Sequence, residues 1–218
     1  MLYVRVRCIV QPHLTRTENG VQTIHFTLAQ LKATQCLAAE NDIRYYFNGV
    51  FVEATPFETR LVATDGAAIG VTRCAIENDI EGDVGLIIPN ATIDSIKAGK
   101  RDMQAPARVE IEDGQHYLCV EKLSLRVAFA PVDGKFPVYR RVFPQTVSGE
   151  VGQFDPDLLT AFAKAGKILR DLSHNPVPRL AYNGDSARVS FDNYDDFAGV
   201  ITGWRAPKNS RPADTSWI

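Results

Sequence analysis

Three cations stand at three-residue steps in one amphipathic stretch. They are Lys164, Lys167 and Arg170, with Leu158, Leu159, Phe162, Ala165 and Leu169 broadly on the other side. On a helix, that spacing gathers the cations into one stripe and turns the apolar side chains toward a core. Lys and Arg presented this way contact phosphates without reading sequence, and salt weakens the contact. Lys97, Lys100 and Arg101 close a second candidate helix. Lys32 sits in a third, beside Gln30 and Gln35. The other reading is an ordinary solvated face whose cations suit the negative ends of helices.

Other chemistry has little to stand on. His13, His25, His116 and His174 share no metal-ligand spacing with one another or with Cys8, Cys36, Cys74 and Cys119. No nucleophile-elbow, phosphate-loop or zinc-protease pattern occurs. Asp65 precedes Gly66 and reads as a turn residue, not a catalytic carboxylate. An enzyme, a cofactor and a metal are therefore not expected. The cysteines are widely spaced, lack a paired C-x-x-C, and read as buried thiols of a cytoplasmic protein. No apolar run reaches the roughly 18 residues of a membrane span. Met1–Val10 carries Arg5 and Arg7 within its apolar run and does not read as a signal peptide. The 218 residues are 45% hydrophobic and 23% charged, which suits a soluble chain of one or two domains. A net charge of −2 does not announce nucleic-acid binding, so the distribution of the basic residues decides.

The elements that must position these residues recur. Met1–Val10 alternates as a strand, and 11–20 reads as a loop. Thr23–Leu28 predicts a strand, and Thr27 can cap a helix from Leu28 to about Glu40. Strands are expected at Arg44–Glu53, Arg60–Ala63 and Ala67–Arg73. Asn48-Gly49 within the first implies a turn, a bulge or a kink. The order then repeats. Val84–Ile88 is a strand, a helix opens at Asn90 or Thr92 and ends near Gly99, and strands follow at Arg108–Glu112, Gln115–Glu121 and Ser124–Phe129. A third round predicts a strand at Glu150–Phe154, a cap at Asp155, a helix from Pro156 to about Leu172, and strands at Arg179–Tyr182, Ala187–Asp192 and Phe197–Trp204. The chain thus reads as an α+β protein built from three strand–helix–three-strand (βαβββ) units.

The wording of three landmarks is more specific. Arg44-Tyr45-Tyr46-Phe47-Asn48-Gly49, then Val62-Ala63-Thr64-Asp65-Gly66, then Phe136-Pro137-Val138-Tyr139-Arg140-Arg141-Val142-Phe143-Pro144 resemble, in order and spacing, the middle domain and following linker of the bacterial sliding clamp, the DNA polymerase III beta subunit family. The resemblance is clear from about Gln22 to Pro144 and traceable from Val151 to Arg205. It implies the DNA-clamp fold, with antiparallel sheets and the helices on one face. It also implies an organisation of 1–132 as one clamp domain of two units with an extra N-terminal strand, 133–148 as linker, 149–205 as a half-domain and 206–218 as a flexible tail. The third unit resembles the last half of the family's final domain. The first domain and the other half of the last are not represented.

The resemblance further implies a non-enzymatic processivity factor in DNA replication. Double-stranded DNA would be its ligand. Lys32, Lys97, Lys100, Arg101, Lys164, Lys167 and Arg170 would face phosphates, with Tyr45 and Tyr46 touching DNA by stacking. DNA polymerase or repair proteins would dock through short linear peptides in a pocket between domains. Carried across by motif, its wall would be Phe47, Thr64, Gly66, Ile69, Pro137, Arg141, Val142, Val200, Ile201, Thr202 and Trp204. The sequence departs from the family where Ala67-Ala68 replaces His-Arg and Thr202-Gly203-Trp204 replaces Met-Pro-Met. The same residues can instead pack one unit against the next. With a dozen such units in the family's ring, three per chain suit a closed assembly of about four chains, and an open dimer sharing one completed domain is the alternative. A clamp-derived adaptor or decoy that never encircles DNA is the rival function.

Overall fold

The computed structural model describes residues 20–169, 177–204 and 215–216. The strand expected over Met1–Val10, Arg170, and most of the expected tail lie outside the described residues. The first unit is β1 (Gln22–Thr27), α1 (Leu28–Gln35), β2 (Gly49–Thr55), β3 (Glu58–Thr64) and β4 (Ala68–Cys74). The second is β5 (Val84–Pro89), α2 (Asn90–Ser95), β6 (Pro106–Glu112), β7 (Gln115–Val120) and β8 (Leu125–Phe129). The third supplies α3 (Pro156–Leu169), β9 (Arg179–Tyr182), β10 (Ser186–Phe191) and β11 (Tyr194–Thr202).

Two antiparallel sheets result, one in the order β1-β6-β7-β8 and one in the order β5-β2-β3-β4-β11-β10-β9. Each of the first two units sends its leading strand into the other's sheet. β1 lies along β6, and β5 lies along β2. The third unit joins at the far edge of the first, where β11 runs antiparallel to β4 with Gly199 opposite Gly70. These are the repeated α+β units that the sequence implied.

Alternation in the strands divides the apolar residues between the two sheet faces. Val52, Leu61, Ala63, Ala68 and Ile201 face α1 and α3 in the main core, together with Leu31, Phe162, Ala165 and Leu169. Phe47, Val62, Ile69, Ile87 and Val200 face the other way and form a second cluster with Phe136 and Tyr139 of the linker. Thr27 caps α1 through a full capping box with Gln30, as its sequence predicts. Asp155 opens α3 by accepting from the Asp157 N–H at 2.8 Å.

Four boundaries differ from the sequence reading. α1 stops at Gln35, five residues short of Glu40. Tyr45–Phe47 is a 3-10 turn, so β2 starts at Gly49 and Arg44–Asn48 is not strand. Asn48-Gly49 makes neither hairpin nor bulge. Gly49 is required because a side-chain carbon there would sit 2.4 Å from the Ile88 carbonyl oxygen on β5. α2 ends at Ser95, leaving Lys97 beyond the helix and Lys100 and Arg101 in a separate 3-10 turn. Glu150–Phe154 forms no strand, having no partner strand beside it among the described residues.

Candidate functional site

The basic residues come first. α1 contacts both α2 and α3, so the three helices form one connected group. The Lys32 side chain is half-buried between them, and its Nζ donates to the Ile93 carbonyl at the end of α2. Burial lowers the proton affinity of Lys32, Asp94 opposes this, and the neighbouring Lys97 charge adds to it. Cys36 ends α1. Burial pushes its thiol up, while the charges of Lys164 and Lys32 pull it back. Lys97, Lys32 and Lys164 therefore form one electrostatic neighbourhood running from the end of α2, across α1, to α3. Lys164 and Lys167 are exposed on α3, opposite its buried stripe, and Lys97, Lys100 and Arg101 are exposed too.

Lys32 differs from the expectation, because its ammonium is engaged with the α2 terminus instead of standing free toward solvent. Asp94 belongs to the same patch and accepts from Gln35 Nε2 at 2.9 Å. Tyr45 and Tyr46 do not join the lysines. Tyr46 packs on the second cluster, across the sheet from the helices, and both rings lie against Gly134 of the linker. Their rings meet edge to face at 5.8 Å, with Tyr45 exposed.

The linker side is built around the Thr64-Asp65-Gly66 turn. Asp65 Oδ1 accepts from the N–H groups of Ala67 and Ala68 at 2.8 and 2.7 Å. Gly66 takes a φ of +97°, which favours glycine. Arg44 reaches over this turn. It pairs with Asp42 at 2.7 Å, donates to the Asp65 carbonyl at 3.2 Å, and lies 4.6 Å from the Phe47 ring centre. The linker is clamped at Glu53, which accepts from Tyr139 Oη at 2.7 Å and Arg140 Nη1 at 2.9 Å. Burial pushes the Glu53 carboxyl up, but the hydrogen bonds from Arg140 and Tyr139 outweigh it and hold the group below its ordinary value. Burial and the same carboxylate push Tyr139 up to about 12. Phe136 stacks flat on Phe51 with centroids 4.8 Å apart.

Of the expected pocket wall, Gly66, Pro137, Arg141, Val142, Thr202 and Trp204 are exposed. Phe47, Ile69 and Val200 are buried beneath Phe136 and Tyr139, and Thr64 is buried with its hydroxyl donating to the Ala68 carbonyl. Ile201 is not on this side at all. It follows Val200 in β11 and so points into the main core. A hollow of about 250 Å³ lies next to the linker, lined by Phe143 together with Arg188, Ser190 and Ala198 of the outward faces of β10 and β11. The sequence reading missed these four. For Arg188, Ser190 and Ala198, period-two alternation in β10 and β11 was the available signal, since it assigns them to the face away from the main core. Among the described residues no cluster of three His, Cys, Asp or Glu side chains is placed to hold a metal, and no helix is long and apolar enough to cross a membrane.

The paired units, their exchanged leading strands and the continuous sheet define a protein of the clamp class. The family model for the DNA polymerase III beta subunit, central domain, matches residues 25–138. The beta sliding clamp of Escherichia coli K12 is 31% identical over 176 residues, covering 78% of this chain and 47% of that protein. The beta sliding clamp of Vibrio cholerae is 29% identical over 187 residues, covering 84% of this chain and 49% of that protein. The chain belongs to the DNA polymerase III beta subunit, or beta sliding clamp, family. It spans about half the length of the relatives it matches. The crystal structure of the Pseudomonas aeruginosa DNA polymerase III subunit beta shares its fold, with a TM-score of 0.65 at 17% identity over 90% of this chain and 69% of that one. The Thermotoga maritima beta subunit does so with a TM-score of 0.60 at 14% identity over 92% and 70%.

Proposed function

We propose that this chain is a shortened sliding clamp, a non-enzymatic cytoplasmic tether that holds double-stranded DNA. The observation that carries the reading is the run of cations from Lys97 through Lys32 to Lys164, with Lys167 alongside, on the helix side of one continuous sheet. A sheet backs the helices and leaves their far side to a large ligand. Lysines there offer phosphates a contact that tolerates sliding, because nothing in it reads a base. Lys32 braces the α2 terminus, and Lys97, Lys100, Arg101, Lys164 and Lys167 carry the contact. Tyr45 and Tyr46 border the linker, across the sheet from these cations, so this contact does not include stacking by them.

Replication and repair proteins would dock by short linear peptides on the linker side. Trp204, Val142 and Pro137 supply exposed apolar surface there, and Arg141 supplies charge. Processive tethering needs closure, and the assembly we propose for it is a homo-oligomer of about four chains, or a dimer that clasps without closing.

Retention on DNA tests the function. The full chain is assembled on nicked circular and on linear duplexes, with a clamp-loading extract, and challenged with salt. Retention on circles with loss from linear ends is the expected result. Equal, weak retention on both sinks the tether and leaves the adaptor that binds clamp partners without encircling DNA.

A further inference from the structure

The segment 150–155 stands before α3 as β1 stands before α1 and β5 before α2. In the two complete units this leading strand crosses to the sister unit. The residue that caps the helix then faces the first residue of the receiving strand, Thr27 opposite Pro106 and Pro89 opposite Gly49. The residue just before each cap is sunk in the core. Phe26 is 2% exposed and Ile88 0%.

Among the described residues the third unit faces no sister unit. Its leading segment forms no strand, Phe154 in the position of Phe26 and Ile88 is only partly covered, and Val151 is 72% exposed. The receiving strand is incomplete as well. Among the described residues β9 pairs with β10 along one side and with no strand along the other. Val177, just ahead of β9, is 66% exposed. The segment keeps scattered contacts with its own unit, which the exchange would replace: the Trp204 N–H donates to the Gln153 carbonyl at 2.6 Å, and the Phe154 ring stacks on Tyr182 with centroids 6.1 Å apart. The Gly149 N–H donates to the Tyr182 carbonyl at 3.0 Å, and the Gly184 N–H to the Glu150 carbonyl at 2.8 Å.

We propose that the open edge of β9 receives residues 150–155 of a second copy of this chain. Made twice about a twofold axis, the exchange assembles one complete clamp domain from two third units. A second copy is the occupant because each third unit carries both halves of the defect among the described residues, a leading segment without a strand partner and an edge without a strand. An unrelated strand would fill the edge and leave Phe154 and Val151 uncovered. Two identical units cancel both deficits in one isologous interface. An unpaired edge is also a hazard that folded proteins cover. The inference rests on the family reading of the third unit as half a domain, not on DNA binding.

The register follows from the first two units. Gly49 precedes the hairpin residue Thr55 by the same interval as Pro106 precedes Glu112. Val177 stands at that interval before Asn183, whose N–H donates across the hairpin to the Ser186 carbonyl. Asp155 of one copy then lies opposite Val177 of the other, Gln153 opposite Arg179, and Val151 opposite Ala181. Phe154 lies opposite Pro178, as Phe26 lies opposite Ala107.

The full chain carrying Val151→Cys and Ala181→Cys is oxidised and run without reductant, beside each single variant. A covalent dimer from the double variant alone is expected. Light scattering should give the wild type at least twice the chain mass, and Val151→Pro should halve that mass with unchanged circular dichroism. A wild type at the mass of one chain, or a dimer unaffected by Val151→Pro with no interchain cystine, overturns the proposal. Retention on circular DNA is scored separately. A cross-linked dimer without retention removes the tether and keeps the interface, whereas retention with cystines confined to one chain keeps the tether and removes the interface.

Discussion

Gly70 and Gly199 face one another across the seam where β4 meets β11. Neither can gain a side chain unless its neighbour shifts. A carbon added at Gly70 would lie 2.1 Å from Leu37 Cδ1, and one added at Gly199 would lie 2.5 Å from the Phe162 ring. The paired glycines let a leucine just beyond α1 and a phenylalanine of α3 press onto the sheet at the join between first and third units. Gly199→Val should therefore lower stability by about 1–3 kcal/mol, the usual range for forcing extra carbons into a packed core. Urea unfolding followed by circular dichroism checks this. An unchanged midpoint would mean that the seam is not packed as described.

The lysine face makes a quantitative prediction. Each phosphate-neutralising cation contributes about 0.9 to the slope of log affinity against log salt on duplex DNA. Replacing Lys97, Lys164 and Lys167 together by Gln should flatten the slope by roughly 2–3 and leave the melting temperature within a degree or two. Lys32→Met should behave in the opposite way. Its ammonium is spent on the Ile93 carbonyl, so stability should fall by about 1 kcal/mol while the slope stays. Fluorescence anisotropy over a salt series separates the two.

The sequence carried much of this because its local signals agree with the tertiary structure. Thr27 with Gln30, and Asp155 before Pro156, are capping statements that need no distant partner, and both helices start where they say. Other errors came from contacts that local pattern does not contain. Asn48-Gly49 is a turn signal by dihedral preference, yet the glycine answers to a backbone oxygen on β5. Val200 and Ile201 were carried over as one wall, whereas strand alternation puts them on opposite faces. Glu150–Phe154 has the composition of a strand and finds no neighbouring strand among the described residues. The Glu53 clamp on the linker was invisible, because Tyr139 and Arg140 are far along the chain from their acceptor.

That clamp gives a pH dependence with a definite sign. The Glu53 carboxyl is held below its ordinary value of 4.5 in the folded chain. A depressed carboxylate contributes its stability in full above the unfolded value and loses it as pH falls through the folded one. The Arg140 partner is largely exposed, so solvent screening keeps the contribution modest. The stability difference between wild type and Glu53→Gln should be about 1–2 kcal/mol near neutrality and shrink progressively below pH 4.5. Thermal melts of both proteins from pH 7 to pH 3 measure it. A difference that stays constant to pH 3 would show that the charge of Glu53 is not what holds Tyr139 and Arg140.

Two apolar residues distinguish a peptide groove from simple packing of the linker on the sheet. Val142 is exposed in the linker, while Ile201 is fully buried under the helices. If a short apolar peptide docks on the linker side, Val142→Asp must weaken it, because the new charge would be desolvated on binding. A loss of tenfold or more, or about 1.4 kcal/mol, is expected without a change in melting temperature. Ile201→Ala should instead cost about 2–4 kcal/mol of stability, the range for truncating a buried isoleucine. Any loss of peptide binding there should follow the loss of folded protein. Polarisation of a labelled clamp-binding peptide, read beside thermal melts, gives both numbers. If the wild type leaves the peptide free at millimolar concentration, the exposed valine and tryptophan serve assembly, and the buried trio of Phe47, Ile69 and Val200 is nothing more than the bed on which Phe136 and Tyr139 lie.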